Sequence, residues 1–141
     1  MNRKASAVWR GDLKTGRGTV STESTILKDA PYTFARFGSG PGTNPEELVG
    51  AAHAGCFSMA FSAELGKAGF TPDSIATTAN VTFENHPQTS WTVTKIHLDC
   101  TAKIPGIDAA KFAEIANGAK SGCPISRLLK TEITLDAKLV S

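Results

Sequence analysis

The chain contains three cysteines, and their surroundings in the sequence suggest different roles. Cys100 alternates with apolar residues along a predicted strand, where cysteine behaves as a small hydrophobe, so we expect it in the core. Cys56 lies within a long uncharged segment, where alanine would pack as well and form helix better. Cys123 precedes Pro124 at a predicted helix start, where unpaired backbone N–H groups stabilise a thiolate. Taken singly, each cysteine is more often structural than reactive.

An arginine and two glutamates form a second group with chemical potential. A period of two over residues 32–37 predicts a strand that places Arg36 on the same face as two aromatic side chains. Because an isolated buried charge is very costly, this guanidinium needs an acceptor, and a carboxylate that binds it in bidentate fashion is the natural partner. Glu46 and Glu47 are both near in the sequence. A surface salt bridge or an interaction with a helix dipole is the structural alternative.

Two other kinds of site would use some of the same residues. His53 and Cys56 stand three positions apart on one predicted helix face, which permits a cysteine hydrolase, although nothing in the sequence marks an oxyanion hole or an orienting residue. No CxxC or HxxxH spacing groups the potential metal ligands, so we expect no metal site. Those ligands are Cys56, Cys123, His53, His86 and His97.

Composition narrows the class of protein. With 141 residues, 40% of them hydrophobic and 20% charged, the chain is expected to form a single domain over residues 1–141 with a real core. A net charge of +2 is too small for a nucleic-acid footprint, and no apolar run approaches the roughly 20 residues of a membrane span. The first residues lack the apolar stretch of a signal peptide, and three cysteines do not make a disulfide scaffold. We therefore expect a cytoplasmic protein without nucleic-acid or membrane partners.

The elements that must position these residues follow an α+β pattern. Strands are predicted at residues 5–10, 18–24, 32–37, 75–84, 91–104 and 133–140. Helices are predicted at residues 45–68 and 108–120, and a short third helix begins near residue 123. The resulting order, β-β-β-α-β-β-α-α-β, indicates an α+β fold rather than alternating β/α units.

The long central helix gives the strongest signal in the sequence. Thr43 or Asn44 can cap it, Pro45 suits its first position, and Gly69 suits its end. Its middle is almost uncharged, so the helix must be buried nearly all round. At about 36 Å the helix is too long for a single domain of this size to cover. Its small residues also allow another backbone to approach closely. We therefore expect a homodimer that buries it.

Several stretches of the chain resemble the osmotically inducible protein C family, which is related to the organic hydroperoxide resistance proteins. They are GTVSTES, GTNPEELVGAAHAGCFSMAFS and GCPISRLLKTEITLDAKL, with GFTP and PGIDA between them. The similarity extends from Trp9 to the C-terminus. It implies an intertwined α+β homodimer with N-terminal antiparallel strands and a long buried helix. It also implies thiol-dependent reduction of hydroperoxides, preferably organic ones, to alcohols.

The resemblance further implies roles for individual residues. Cys56 is the expected peroxide-attacking cysteine, Cys123 the resolving cysteine, and Arg36 with Glu46 the activating pair. The implied cycle passes through a sulfenic acid and an intramolecular disulfide, which a dithiol reductant of lipoyl type reopens. It needs no metal, haem or flavin.

Helix geometry and aromatic content add two expectations. Glu46 and Cys56 are ten residues apart, or about 15 Å along one helix, so we expect composite sites in which Glu46 of one chain approaches Cys56 of its partner. Aromatic residues that line the entrance would favour alkyl hydroperoxides over hydrogen peroxide. The candidates are Phe34, Phe37 and Phe57. The alternative function is that of a non-enzymatic stress protein or a protein that binds apolar ligands. Such a protein would use an apolar cavity at the dimer interface.

Overall fold

The computed structural model describes residues 1–34 and 42–141 of the chain. Its elements, in chain order, are β1 (Ala5–Arg10), β2 (Arg17–Thr22), β3 (Ala30–Tyr32), α1 (Pro45–Lys67), β4 (Ser74–His86), β5 (Ser90–Lys103), α2 (Ala109–Gly122), α3 (Pro124–Leu128) and β6 (Glu132–Val140). This confirms the α+β class and the predicted order of elements. The chain divides into two compact units, residues 1–48 and 49–141. The single domain expected from the sequence stays a prediction.

The first unit contains a three-stranded antiparallel sheet in the order β1-β2-β3. Gly18 of β2 lies between the rings of Trp9 and Tyr32, whose centroids are 5.4 Å apart, and a Cβ atom at Gly18 would collide with both rings. Glycine is therefore required at this position, and the two aromatic side chains cover the gap it leaves.

The third strand is shorter than the sequence predicts and lies earlier in the chain. The predicted strand spans residues 32–37, whereas β3 ends at Tyr32, paired with Gly18 of β2. Because β2 begins at Arg17, it extends only one residue beyond the pair of Gly18 and Tyr32, which limits the length of β3. The rest of the predicted strand, including Arg36 and Phe37, lies outside the described residues.

Local signals set both ends of α1 as predicted. Asn44 is the cap, since its side-chain Oδ1 accepts a hydrogen bond from the backbone N–H of Glu47 at 2.8 Å. At the other end Gly69 adopts a φ of +85°, and the N–H of Phe70 donates to the carbonyl of Leu65 at 2.9 Å. This is a Schellman motif, in which glycine takes the left-handed conformation that other residues avoid.

The second unit is a three-stranded sheet covered by helices on one face. β4 and β5 are antiparallel, whereas β5 and β6 are parallel and are joined by a crossover through α2 and α3. Alternate residues of β5 enter the core, which confirms the predicted apolar side of that strand. The core also takes side chains from α1 and α2, and the Phe61 and Phe112 rings meet edge to face at 5.6 Å.

Within one chain, α1 buries a single stripe of its surface. The buried residues recur at helical spacing and are Gly50, His53, Phe57, Phe61 and Leu65. Other apolar positions stay open, and Met59 is 75% exposed. Burial nearly all round would need a second copy of the helix, so that expectation stays a prediction, as does the dimer.

By length and composition alone, α1 is able to cross a membrane, contrary to the expectation that no segment meets this criterion. However, the buried stripe of α1 packs against the strands and α2 of the second unit, where Phe61 is fully buried. A helix that supplies one face of a protein core passes the same test, and α1 is such a helix.

Substitution of Phe61 tests how much the stability of the second unit depends on the buried stripe of α1. Replacing it by alanine removes the edge-to-face contact with Phe112 and leaves a cavity, so we expect the free energy of unfolding to fall by about 3–5 kcal/mol. Urea unfolding followed by circular dichroism measures the change. Ser62→Ala, at an exposed position of the same helix, is the control and should change stability by less than about 0.5 kcal/mol. A small loss in Phe61→Ala would contradict this account of the core.

Candidate active site

The structure brings two of the three cysteines together. The sulfur atoms of Cys56 and Cys123 are hydrogen-bonded at 3.0 Å although the residues are 67 positions apart in sequence. Cys56 projects from α1 and is half-buried, whereas Cys123 is fully buried at the corner between α2 and α3. Both are free thiols. A pair of thiols in contact can form a disulfide with little movement of the backbone.

Neighbouring hydrogen-bond donors affect the ionisation of the Cys123 thiol. Cys123 is the N-cap of α3, and Pro124 occupies the first turn, as predicted. Burial acts to raise the pKa of Cys123, but hydrogen bonds from Cys56, from the backbone N–H and hydroxyl of Ser126, and from the N–H of Ile125 outweigh it. The pKa of Cys123 therefore lies below its ordinary value, which agrees with the thiolate-stabilising position expected from the sequence.

The environment of Cys56 shifts its thiol in the opposite direction. Burial raises the pKa of Cys56, and so does its hydrogen bond to Cys123, while the N–H of Ile125 and the positive charge of Arg127 oppose the rise. The contact between the two sulfurs therefore acts in opposite directions on the two thiols, lowering the pKa of Cys123 and raising the pKa of Cys56. Once one of the two protons has been lost, the pair carries one negative charge and one shared proton.

A buried histidine stands behind the cysteine pair. His53 is fully buried, and its Nε2 lies 2.8 Å from the hydroxyl oxygen of Ser126. Burial lowers the pKa of His53, so the ring is neutral at physiological pH. Its other nitrogen, Nδ1, has no hydrogen bond to a described residue. Neither ring nitrogen therefore acts on Cys56 directly, in contrast to the contact that a cysteine hydrolase would require.

The two glutamates at the start of α1 have different environments. The hydroxyl of Thr43 donates to Glu47 at 3.0 Å, so this carboxylate belongs to the capping structure of the helix. The carboxylate of Glu46 has no hydrogen bond or ion pair that involves the described residues. Arg36, the partner expected for Glu46, lies outside the described residues, and their pairing stays a prediction.

The aromatic residues proposed for the substrate entrance fall in different places. Phe57 is fully buried, and its ring centroid lies 5.8 Å from that of Phe61 within the core of the second unit. Phe34 is half-buried in the first unit, and Phe37 lies outside the described residues. The role of these three side chains in substrate binding stays a prediction.

The third cysteine and a group of potential metal ligands lie on opposite faces of the second sheet. Cys100 is buried on the apolar face of β5, and burial raises its pKa, so it is the core residue expected from the sequence. Over the described part of the chain, one group of potential ligands lies close together, and it is on the exposed face of the sheet. Its members are His97, Asp99 and Asp136.

Sequence reasoning did not single out Ser126, although the structure places its hydroxyl 2.8 Å from Nε2 of His53. The signal was present, because Ser126 follows Cys123 by three positions at a helix start. A side chain at that position of the first turn can contact the capping residue. Arg127, which acts electrostatically on Cys56, was also missed.

The neutral state of buried His53 predicts how stability depends on pH. The unfolded chain binds a proton at this residue near its ordinary pKa of 6.5, but the folded chain does so only at lower pH. We expect stability contributed by this residue to be complete above pH 6.5 and to be lost as the pH falls toward the folded pKa, by at most about 1.4 kcal/mol per pH unit. Urea titrations of the wild type and His53→Gln measure the difference. Identical pH dependence in both proteins would contradict the prediction.

Comparison with known proteins identifies the family of the chain. The model of the family described as OsmC-like protein matches residues 38–138. The chain is 54% identical to peroxiredoxin OsmC of Escherichia coli over 142 aligned residues, which cover 100% of this chain and 99% of the relative. An OsmC-like protein of Mycoplasma pneumoniae has a similar structure, with a TM-score of 0.81, 13% identity, and coverage of 100% of this chain and 99% of the other. The organic hydroperoxide resistance protein OhrB of Bacillus subtilis superposes with a TM-score of 0.69 at 22% identity, covering 97% and 98%. The chain belongs to the OsmC-like protein family.

Proposed function

We propose that the protein is a cysteine-based peroxidase that reduces organic hydroperoxides to alcohols, and hydrogen peroxide less efficiently. The observation that carries this proposal is the 3.0 Å contact between the sulfurs of Cys56 and Cys123. Such a pair can be oxidised by two electrons to a disulfide, which is the change that reduction of one peroxide requires. The 54% identity to a protein named peroxiredoxin OsmC supports the same activity.

The first step is attack on the peroxide. The thiolate of Cys56 attacks one peroxide oxygen, the O–O bond breaks, and the sulfur becomes a sulfenic acid while an alkoxide leaves. The shared proton, now on Cys123, passes to the alkoxide and gives the alcohol. The contact between the sulfurs supports this transfer, because the proton needs to move only across the pair before attack.

The second step closes the disulfide. The thiolate of Cys123 attacks the oxidised sulfur of Cys56, the S–O bond breaks, and hydroxide leaves into the solvent. Together the two steps convert one thiol, one thiolate and a hydroperoxide into a disulfide, an alcohol and hydroxide. A dithiol then reduces the disulfide by two thiol–disulfide exchanges, and a lipoyl-type dithiol has the required chemistry.

Attack by Cys56 requires that negative charge be available on its own sulfur. The described residues favour the charge on Cys123, so a further positive group beside Cys56 is needed. Arg36 is our candidate, with Glu46 fixing the plane of its guanidinium. At an unperturbed pKa of about 8.5 only a few per cent of a cysteine is ionised at neutral pH, so full ionisation gains about 30-fold, and charge stabilisation as the O–O bond breaks is the larger role.

The position of Glu46 supports a composite site in a homodimer. Glu46 and Cys56 both lie on α1, about 15 Å apart along its axis, so one rigid helix does not bring both to one reaction centre. In an antiparallel pair of α1 helices, Glu46 of one chain approaches Cys56 of the partner. The uncovered side of α1, which includes Met59, gives this pairing an apolar surface to bury.

The proposed cycle also bears on the cellular compartment of the protein and on its preferred substrate. The cycle requires that the disulfide be reduced again after each turnover, which suits the reducing conditions of the cytoplasm. Apolar side chains near the entrance, among them the proposed Phe34, Phe37 and Phe57, would favour alkyl hydroperoxides.

Cysteine variants test the peroxidase directly. We expect Cys56→Ser to abolish peroxide consumption, because no attacking sulfur remains. Cys123→Ser should consume about one equivalent of peroxide and accumulate a sulfenic acid, since the second step is blocked. Cumene hydroperoxide loss and mass analysis after dimedone trapping measure these outcomes, and Cys100→Ala is the matched control that should retain activity.

The same experiment separates the alternatives. Full peroxide consumption by Cys56→Ser would refute the peroxidase and leave the ligand-binding protein as the better interpretation. Acylation of Cys56 by an activated ester, with loss of the reaction in His53→Ala, would instead favour a hydrolase.

Mixed dimers test the composite site. We expect Glu46→Gln to reduce turnover strongly and the matched variant Glu47→Gln to have little effect, because Glu47 already accepts the hydrogen bond of Thr43. In a co-expressed heterodimer of Glu46→Gln with Cys56→Ser, one of the two composite sites is intact, so about half of the wild-type turnover should return. No recovery in the purified heterodimer would show that each chain builds its own site.

A further inference from the structure

We propose that the dithiol reductant attacks the sulfur of Cys56, rather than that of Cys123, when it reopens the disulfide. The reductant is then held on Cys56 as a mixed disulfide, and Cys123 leaves as the thiolate. The inference rests on the proposed peroxidase, whose last step it concerns, and it follows from the different accessibility of the two cysteines.

Cys123 lies where a thiol from solution does not reach it. None of its surface is exposed, and it belongs to the apolar core of the second unit. A thiolate attacks a disulfide from the side opposite to the leaving sulfur, so the attacked sulfur needs an open side. Attack on Cys123 would therefore require the corner between α2 and α3 to open first, and local opening of a packed segment costs free energy.

Cys56 keeps an open side. It is half-buried, and its neighbours one helical turn away on the same face of α1, Ala52 and Met59, are exposed. A Cβ atom at the adjacent Gly55 would meet no other part of the described chain within 4 Å. The surface beside Cys56 is therefore free for the approach of a thiol.

The proposed dimer preserves this difference between the two cysteines. A partner chain that packs on α1 covers further surface but does not expose a residue that its own chain already buries, so Cys123 stays inaccessible. Cys56 must remain within reach of a hydroperoxide, because the first step of the proposed cycle takes place at its sulfur. The opening that admits the substrate thus also admits the thiol of the reductant.

Formation of the disulfide preserves the difference as well. The sulfurs of Cys56 and Cys123 are 3.0 Å apart as free thiols. A disulfide bond is about 2 Å long, so the two atoms approach each other by only about 1 Å. Such a movement is too small to bring Cys123 out of the core.

The ionisation of the two thiols favours the same order of events. Burial acts to raise the pKa of Cys123, but hydrogen bonds from its neighbours outweigh this effect and bring that pKa below the ordinary value. Burial raises the pKa of Cys56 above the ordinary value. Because a thiol of lower pKa leaves faster, attack at Cys56 expels the better leaving group.

Two thiol–disulfide exchanges then complete the reduction without a further reactant. In the first, one thiolate of the reductant bonds to Cys56, the S–S bond of the protein breaks, and the electron pair leaves on Cys123. In the second, the other thiol of the reductant loses its proton to solvent and attacks the reductant sulfur that is bound to Cys56. That bond breaks, Cys56 leaves as a thiolate, and the reductant becomes a cyclic disulfide.

A monothiol identifies the attacked sulfur, because it stops after the first exchange. Diamide oxidises the Cys100→Ala protein to the disulfide of Cys56 and Cys123, one equivalent of cysteamine is added, and excess N-ethylmaleimide in urea then blocks the free thiols. In non-reducing peptide mass analysis we expect about tenfold more cysteamine on Cys56 than on Cys123, whose peptide should carry the maleimide. An equal distribution, or more cysteamine on Cys123, would overturn the proposal.

Alkylation of single cysteines decides the question if the mixed disulfide is too short-lived to trap. Cys56 is the single cysteine in the double variant Cys100→Ala, Cys123→Ser, and Cys123 is the single cysteine in Cys56→Ser, Cys100→Ala. Each rate of modification by iodoacetamide is compared with the rate in urea. We expect folding to slow the reaction of Cys123 at least about tenfold more than that of Cys56. Equal slowing, or greater slowing at Cys56, would overturn the proposal.

Neither measurement uses a peroxide, so failure of this proposal is distinguishable from failure of the proposed function. A wild type that does not consume cumene hydroperoxide would refute the proposed function. The position of cysteamine and the two alkylation rates decide separately which sulfur a thiol attacks.

Discussion

The contact between two sulfur atoms is the constraint on which the rest of the structure depends. It joins α1 to the corner between α2 and α3, and neither element brings its cysteine there alone. The buried stripe of α1 fixes the helix against the sheet, while the parallel pairing of β5 and β6 forces the chain to cross over through α2 and α3. Packing far from the cysteines thus determines whether their sulfurs meet.

The contact between the two sulfurs lies in a buried environment that disfavours a negatively charged thiolate. Burial disfavours a thiolate at either cysteine, and N–H, O–H and S–H groups near the two sulfurs counter this effect. Most of these donors surround Cys123, whereas Cys56 is more open and has fewer of them. The two sulfurs are therefore unequal before any substrate arrives, which suits a reaction in which one is oxidised first and the other closes the bond.

Features that depend on neighbouring residues could be predicted from the sequence, and features that depend on distant ones could not. The cap at Asn44, the stop at Gly69 and the core position of Cys100 follow from local chemistry and alternation. The end of β3 depends on where β2 begins, and Ser126 is hydrogen-bonded to a histidine 73 positions away in the sequence. Residue types indicated which cysteines to examine, and the resemblance to a family paired them. The distance between the two cysteine sulfurs is known only from the folded structure.

Oxidation of the pair would change more than two sulfur atoms. A bond between Cys56 and Cys123 closes a loop that contains β4, β5 and α2, because the two positions are 67 residues apart. Cross-linking a loop of that length restricts the unfolded chain enough to stabilise the folded one by about 4 kcal/mol. The oxidised form of the enzyme is therefore more stable against unfolding than the reduced form. Each reduction of the disulfide returns the chain to the less stable form.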